Sequence, residues 1–235
     1  MQKELQKRIL LEYLPMSLTF IGIVTCAIIF KQAFIKTLPV CFSLIIGLLT
    51  SRANRIAFLF GATNCLIYIV GYYMEGVYGS MISAGFSAVV QTATFFSWKK
   101  KAYKQATEFR VLRGKNRIIL ALALICAWGI ASFILFNASG KEYILDGLIL
   151  ILGFALPVMQ MFALIDALPL NIISVGLSLI MWLRIIVLDG VIANTTYLIS
   201  VTYSLYMTIR MAKKWIALYK EQQSIKENTE NSLPL

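Results

Sequence analysis

The sequence predicts an all-α polytopic membrane protein. It has eight transmembrane helices: two parallel three-helix repeats joined by a linker helix, plus one extra N-terminal helix. Three observations lead there. The 235 residues are 59% hydrophobic and only 14% charged, with a mean hydropathy of +0.77, outside the range of soluble domains. Apolar runs near the length of about 20 residues that a helix needs to cross hydrocarbon alternate with short charged breaks. The net charge of +11 gathers between Lys99 and Arg117 and at the two ends, the pattern of membrane-flanking loops.

Taken in order, the first span is Pro15–Phe34, within an N-terminal unit of residues 1–36. The leading MQKELQKRILLEYLP is charged and is followed by no small-residue cleavage site, so an uncleaved helix is expected. Spans two to four are Leu38–Thr50, Ile56–Tyr73 and Val77–Trp98, the first repeat (38–98). The second span is short and can extend past Lys36 or toward Arg52 by snorkelling. A basic loop (99–117) precedes the linker span, Ile118–Phe136. Spans six to eight, Tyr143–Leu164, Leu168–Leu188 and Ile192–Trp215, make the second repeat (143–216). Pro157 in span six is placed to kink a helix. The mixed polar segment 217–235 reads as a frayed or disordered tail.

The Lys99–Arg117 loop holds eight Lys or Arg against one acid, Glu108. The positive-inside rule then places both termini in the cytoplasm. It also makes the positive charge a membrane signature, with no nucleic-acid partner expected. Self-association into a homo-oligomer is left open. Cys26, Cys41, Cys65 and Cys126 lie in apolar runs without CxxC spacing, and the chain has no His. Free thiols, no metal site and no cofactor follow. No acid pair or nucleophile–base pair is visible either, which argues against an enzyme.

A repeat is read at an offset of 114 residues. Asn64, Tyr68 and Glu75-Gly76-Val77 in the first copy answer Ser178, Trp182 and Asp189-Gly190-Val191 in the second, and each copy closes on a Trp beside lysines, Trp98 and Trp215. One linker helix between two three-helix units restores chain direction, so the units run parallel. Neutral polar residues fall on single helix faces: Asn171, Ser174, Ser178 and Trp182; Asn64 and Tyr68; Ser87 and Gln91; Tyr197, Ser200, Ser204 and Thr208. Ser and Thr in spans commonly serve helix packing, at about 0.6 kcal/mol each. Trp98 and Trp215 read as interfacial anchors. Asn64, Gln91 and Trp182 lie well inside their spans and point to a cavity. The expected substrate-binding set is Asn64, Tyr68, Gln91, Asn171, Ser174, Ser178 and Trp182.

The stretch from Asn54 to Trp98 resembles the first repeat of the PnuC-type vitamin transporters, the nicotinamide riboside carriers of bacteria. The resemblance lies in Asn54-Arg55, Phe58-x-Phe60-Gly61, Asn64, Tyr68, Val77-Tyr78-Gly79, Gln91 and Trp98. It extends over about residues 38–216, more loosely in the second half, where Asn171 stands seven residues before Ser178. The resemblance implies facilitated diffusion of a vitamin that a cytosolic kinase then traps by phosphorylation. The small-molecule partner would be nicotinamide riboside, with thiamine, riboflavin or a deoxynucleoside as alternatives. A SWEET-like sugar carrier and a non-transporting membrane scaffold are the other readings kept open.

Overall fold

Inside hydrocarbon a backbone must satisfy its own hydrogen bonds, and a single chain does so segment by segment as helix. The computed structural model describes residues 9–32, 34–75, 78–100, 102–103, 106–137, 143–188 and 195–231. After a π-helical turn at Ile9–Tyr13, eight helices follow: α1 Leu14–Ile29, α2 Phe34–Ser51, α3 Ile56–Glu75, α4 Tyr78–Lys100, α5 Gly114–Asn137, α6 Tyr143–Met161, α7 Ala167–Leu188 and α8 Thr195–Asn231. A two-residue antiparallel pair, β1 Ala102–Tyr103 with β2 Ala106–Thr107, interrupts the basic loop. The helix α2 does extend past Lys36, and α6 runs unbroken across Pro157. Three helices (α5, α6 and α7) are long and apolar enough to cross a membrane, and shorter apolar helices accompany them. The chain is a multi-pass membrane protein. The basic segment 1–8, the Glu75-Gly76-Val77 and Asp189-Gly190-Val191 turns, and Lys141-Glu142 lie wholly or partly outside the described residues.

Helix packing forms a closed ring. The order of contacts is α2, α3, α4, α6, α7, α8 and back to α2. The helix α5 docks on α6, where a Cβ at Gly147 would come within 2.6 Å of Ser132 Oγ. The helix α1 docks on α8 and α2. In this ring α3 and α7 stand opposite each other, with two helices between them on either side.

The two halves turn from their first to their second helix in the same way. At the end of α2, Asn54 N–H donates to Leu49 O (3.1 Å) and Ala53 N–H to Thr50 O (2.9 Å). At the end of α6, Leu164 N–H donates to Met159 O (3.0 Å) and Ala163 N–H to Gln160 O (2.9 Å). Both are Schellman caps. Ala53 (φ 54°) and Ala163 (φ 55°) occupy the left-handed position usually taken by glycine. The next bonds match too: Ala57 N–H to Asn54 O and Phe58 N–H to Arg55 O, against Ala167 N–H to Leu164 O and Leu168 N–H to Ile165 O. The common offset is 110 residues. Carried along two unbroken helices, it sets Asn64 against Ser174 and Tyr68 against Ser178. The offset of 114 read from the sequence is therefore one helical turn out, on the same face.

The tryptophans link the halves. Trp98 Nε1 donates to Gln160 O (3.0 Å), and Trp215 Nε1 donates to Thr50 O (3.2 Å). Each half thus bonds the cap carbonyl of the other. The two indoles lie 5.4 Å apart and are 1% and 0% exposed, in a core with Phe58, Phe109, Met211 and Ala163. The expectation that Trp98 and Trp215 anchor at the lipid interface is overturned. Ring closure turns both indoles inward.

The tail expectation fails over residues 217–231, and 232–235 lie outside the described residues. The helix α8 continues to Asn231, and Gln222 is 4% exposed. Its carboxamide receives Phe109 N–H (2.9 Å) and donates to Thr107 O (3.0 Å), so it clamps the end of the basic loop. That segment then pairs with the α6–α7 turn: Arg110 N–H donates to Ala163 O (3.0 Å) and Ile165 N–H to Arg110 O (2.9 Å). Leu112 N–H donates to Asp166 Oδ2, and Arg117 Nε pairs with Asp166 Oδ1, each at 2.7 Å.

Candidate functional site

Each predicted site residue lies on one of three ring helices. On α3, a glycine at position 61 leaves room for a side chain from the next helix. A Cβ there would overlap Gln91 Oε1. The Gln91 carboxamide therefore lies flat on α3, and its Nε2 donates to Cys65 Sγ at 3.3 Å. Asn64 sits between these two contact points and is 6% exposed, and its Oδ1 has no hydrogen-bond partner. An unpaired buried carbonyl carries a desolvation cost of about 1–3 kcal/mol. It is an acceptor held ready for a donor the protein does not supply. Tyr68 is half-buried one turn further along.

On α7, Asn171, Ser174 and Ser178 are half-buried along one face. Ser178 Oγ donates to Ser174 O (3.0 Å), which occupies its proton within the helix and leaves its lone pairs available. Trp182, further along that face, stacks on Tyr197 of α8 with centroids 4.6 Å apart and planes 6° from parallel. The stack covers one face of the indole.

The structure brings Gln91 directly onto the Asn64 helix and keeps the α7 set across the ring. A single site using both sets has to lie in the middle of the ring. Two pockets outlined by described residues lie elsewhere. One, of about 340 Å³, is lined by residues such as Leu120 of α5 and Val158 of α6. The other, of about 630 Å³, lies between α1 and α2, lined by residues such as Val24 and Leu38. Within the ring, Gln91 of α4 covers Gly61 of α3, and Trp182 of α7 meets Tyr197 of α8.

Sequence reasoning passed over three contributors. Cys65 was read only as a free thiol, which it is, and not as the partner that orients Gln91. Tyr197 was noted in a polar stripe, but nothing in the sequence shows that it covers Trp182. Thr208, in that same stripe, is 7% exposed and stands seven residues before Trp215, as Gln91 stands seven before Trp98. Among the described residues no group of three or more His, Cys, Asp or Glu is placed to hold a metal.

Comparison with known proteins follows the ring. The sequence pattern of a family described as "Nicotinamide mononucleotide transporter" matches residues 33–216. A crystal structure described as that of the vitamin B3 transporter PnuC superposes with a TM-score of 0.71, covering 88% of this chain and 90% of that one at 14% identity. No curated protein sequence matches.

Proposed function

The chain belongs to the nicotinamide mononucleotide transporter family, a family of membrane carriers and not of enzymes, and we propose that it carries nicotinamide riboside by facilitated diffusion. On this reading the ring comprises two parallel three-helix repeats, with both termini in the cytoplasm of a bacterial plasma membrane. A cytosolic kinase traps the vitamin by phosphorylating it after entry.

The observation that carries the proposal is Asn64 Oδ1, buried at mid-span without a partner. The carboxamide –NH₂ of nicotinamide riboside is a donor of the right kind. The cationic pyridinium ring beside that carboxamide suits Tyr68, one turn from Asn64 on the same helix, at about 0.5–2 kcal/mol for a cation–π contact. Tyr68, Asn171 and Ser178 supply further hydroxyl and amide groups on the two facing helices. The riboside is favoured over its phosphorylated form on electrostatic grounds. There is no Lys or Arg in Ile56–Tyr73 or in Tyr78–Trp98, and the cation of α7, Arg184, stands near the end of that helix. A phosphate taken from water into such a site would lack a counter-charge, and burying an unpaired charge costs far more than burying a hydroxyl.

Uptake of labelled nicotinamide riboside into proteoliposomes tests this. Uptake above empty vesicles, competed by unlabelled riboside and not by the mononucleotide, is expected. No uptake of the riboside would sink the proposal. Thiamine, riboflavin and deoxynucleosides belong in the same panel, since rings and amides suit them as well.

A further inference from the structure

The cap and tryptophan bonds give each half its own ruler. Asn64 stands seven residues after Ala57, and Ser174 seven after Ala167, the two alanines being equivalent by their backbone bonds. Gln91 stands seven before Trp98, and Thr208 seven before Trp215, the two indoles being equivalent by their crossed hydrogen bonds. Seven residues are two helical turns, so each polar residue shares a face with its landmark about 10 Å along the axis. Four polar residues on four ring helices therefore lie at one depth. Two are carboxamides in the first half and two are hydroxyls in the second. On α8, Tyr197 meets Trp182 of α7 and Trp215 meets Trp98 of α4, and Ser204 and Thr208 fall between them at the same helical spacing. Tyr203 and Met207 pack against α1 and α2, and Tyr197 touches that cluster as well as Trp182.

We infer that the site is chemically two-sided: Thr208, with Ser174, receives the sugar hydroxyls of the substrate, while Asn64 and Gln91 receive its carboxamide. This rests on the riboside reading above and adds the orientation of the substrate and a specificity residue. A carboxamide carries donors and an acceptor and is best met by another carboxamide. A sugar hydroxyl is met by a Thr or Ser hydroxyl, which can both donate and accept. The halves differ at equivalent positions in just this way, so the substrate would bind with its base toward α3 and α4 and its ribose toward α7 and α8.

Equilibrium binding of nicotinamide riboside and its 2′-deoxy and 3′-deoxy analogues to the purified full-length protein tests the inference. Thr208→Val should weaken the riboside about three- to tenfold, the worth of one hydrogen bond. That loss should vanish for the one deoxy analogue lacking the partner hydroxyl, the signature of a direct contact in a double-mutant cycle. Thr208→Ser should bind like the wild type and also guards against a folding defect in the valine variant. Wild-type binding with Thr208→Val unaffected, or with an equal loss for the riboside and both analogues, overturns the assignment of Thr208 and leaves the substrate reading standing. Failure of the wild type to bind any of the three overturns the substrate reading itself.

Discussion

The two halves share the backbone pattern of their joints and differ in what they attach to it. Both turn from first to second helix through a Schellman cap with a left-handed alanine, and both receive an indole from the other half. Around that frame the details diverge. The first turn caps itself, Asn54 Oδ1 accepting Ile56 N–H at 2.9 Å. The second turn has Leu164 at the equivalent place and borrows its partners from the Arg110 segment, whose Leu112 N–H donates to the turn's own Asp166. About 10 Å along the helices, the positions equivalent by these landmarks hold carboxamides in one half and hydroxyls in the other. The lesson is that symmetry holds the joints, where helices must pivot alike, and is abandoned where an asymmetric solute would be read.

That comparison can be broken in measurable ways. The largest effect belongs to the shared tryptophans. Trp98→Ala and Trp215→Ala should each cost about 3–5 kcal/mol by cavity formation in a packed core, read as similar falls in thermal midpoint in detergent. Strongly unequal losses would show that the halves do not depend on each other alike. Next comes the clamp found on one side. Gln222→Ala removes two buried hydrogen bonds and should cost about 1–3 kcal/mol. Amide exchange should quicken at residues 107–112 and stay unchanged at 49–54. Faster exchange at both turns would mean that the clamp serves the whole end of the ring. The smallest effect is a gain. Ala53→Gly and Ala163→Gly should each stabilise by about 1 kcal/mol, since the left-handed conformation is strained for any residue with a Cβ. A gain at only one of the two would break the equivalence of the joints.

The helical layout was legible because span length and charge placement are written in composition. The ring helices fall within a few residues of the predicted spans, and α8 overruns its prediction because its polar extension packs against the basic segment. The joints were not legible. A Schellman cap is made by backbone groups, and alanine at the left-handed position gives none of the signal that glycine would. The repeat register slipped by one turn for the same reason: side-chain likeness at Asn64 and Ser178 outweighed an invisible backbone match. Trp98 and Trp215 were misplaced because a Trp beside lysines describes an interface anchor and a closed core end equally well. Asn64 stood out in sequence because an amide at mid-span is costly wherever it occurs, and the structure adds that its carbonyl is left unpaired.

The most direct test measures the affinity of purified Asn64→Leu for nicotinamide riboside together with its thermal stability. Leucine removes a buried acceptor that nothing in the fold uses, so the thermal midpoint should hold or rise. The dissociation constant should rise about tenfold or more, as expected when a cationic ligand loses a buried hydrogen bond. An unchanged dissociation constant, or a loss of affinity matched by a loss of folded protein, would contradict Asn64 as the group that meets the solute.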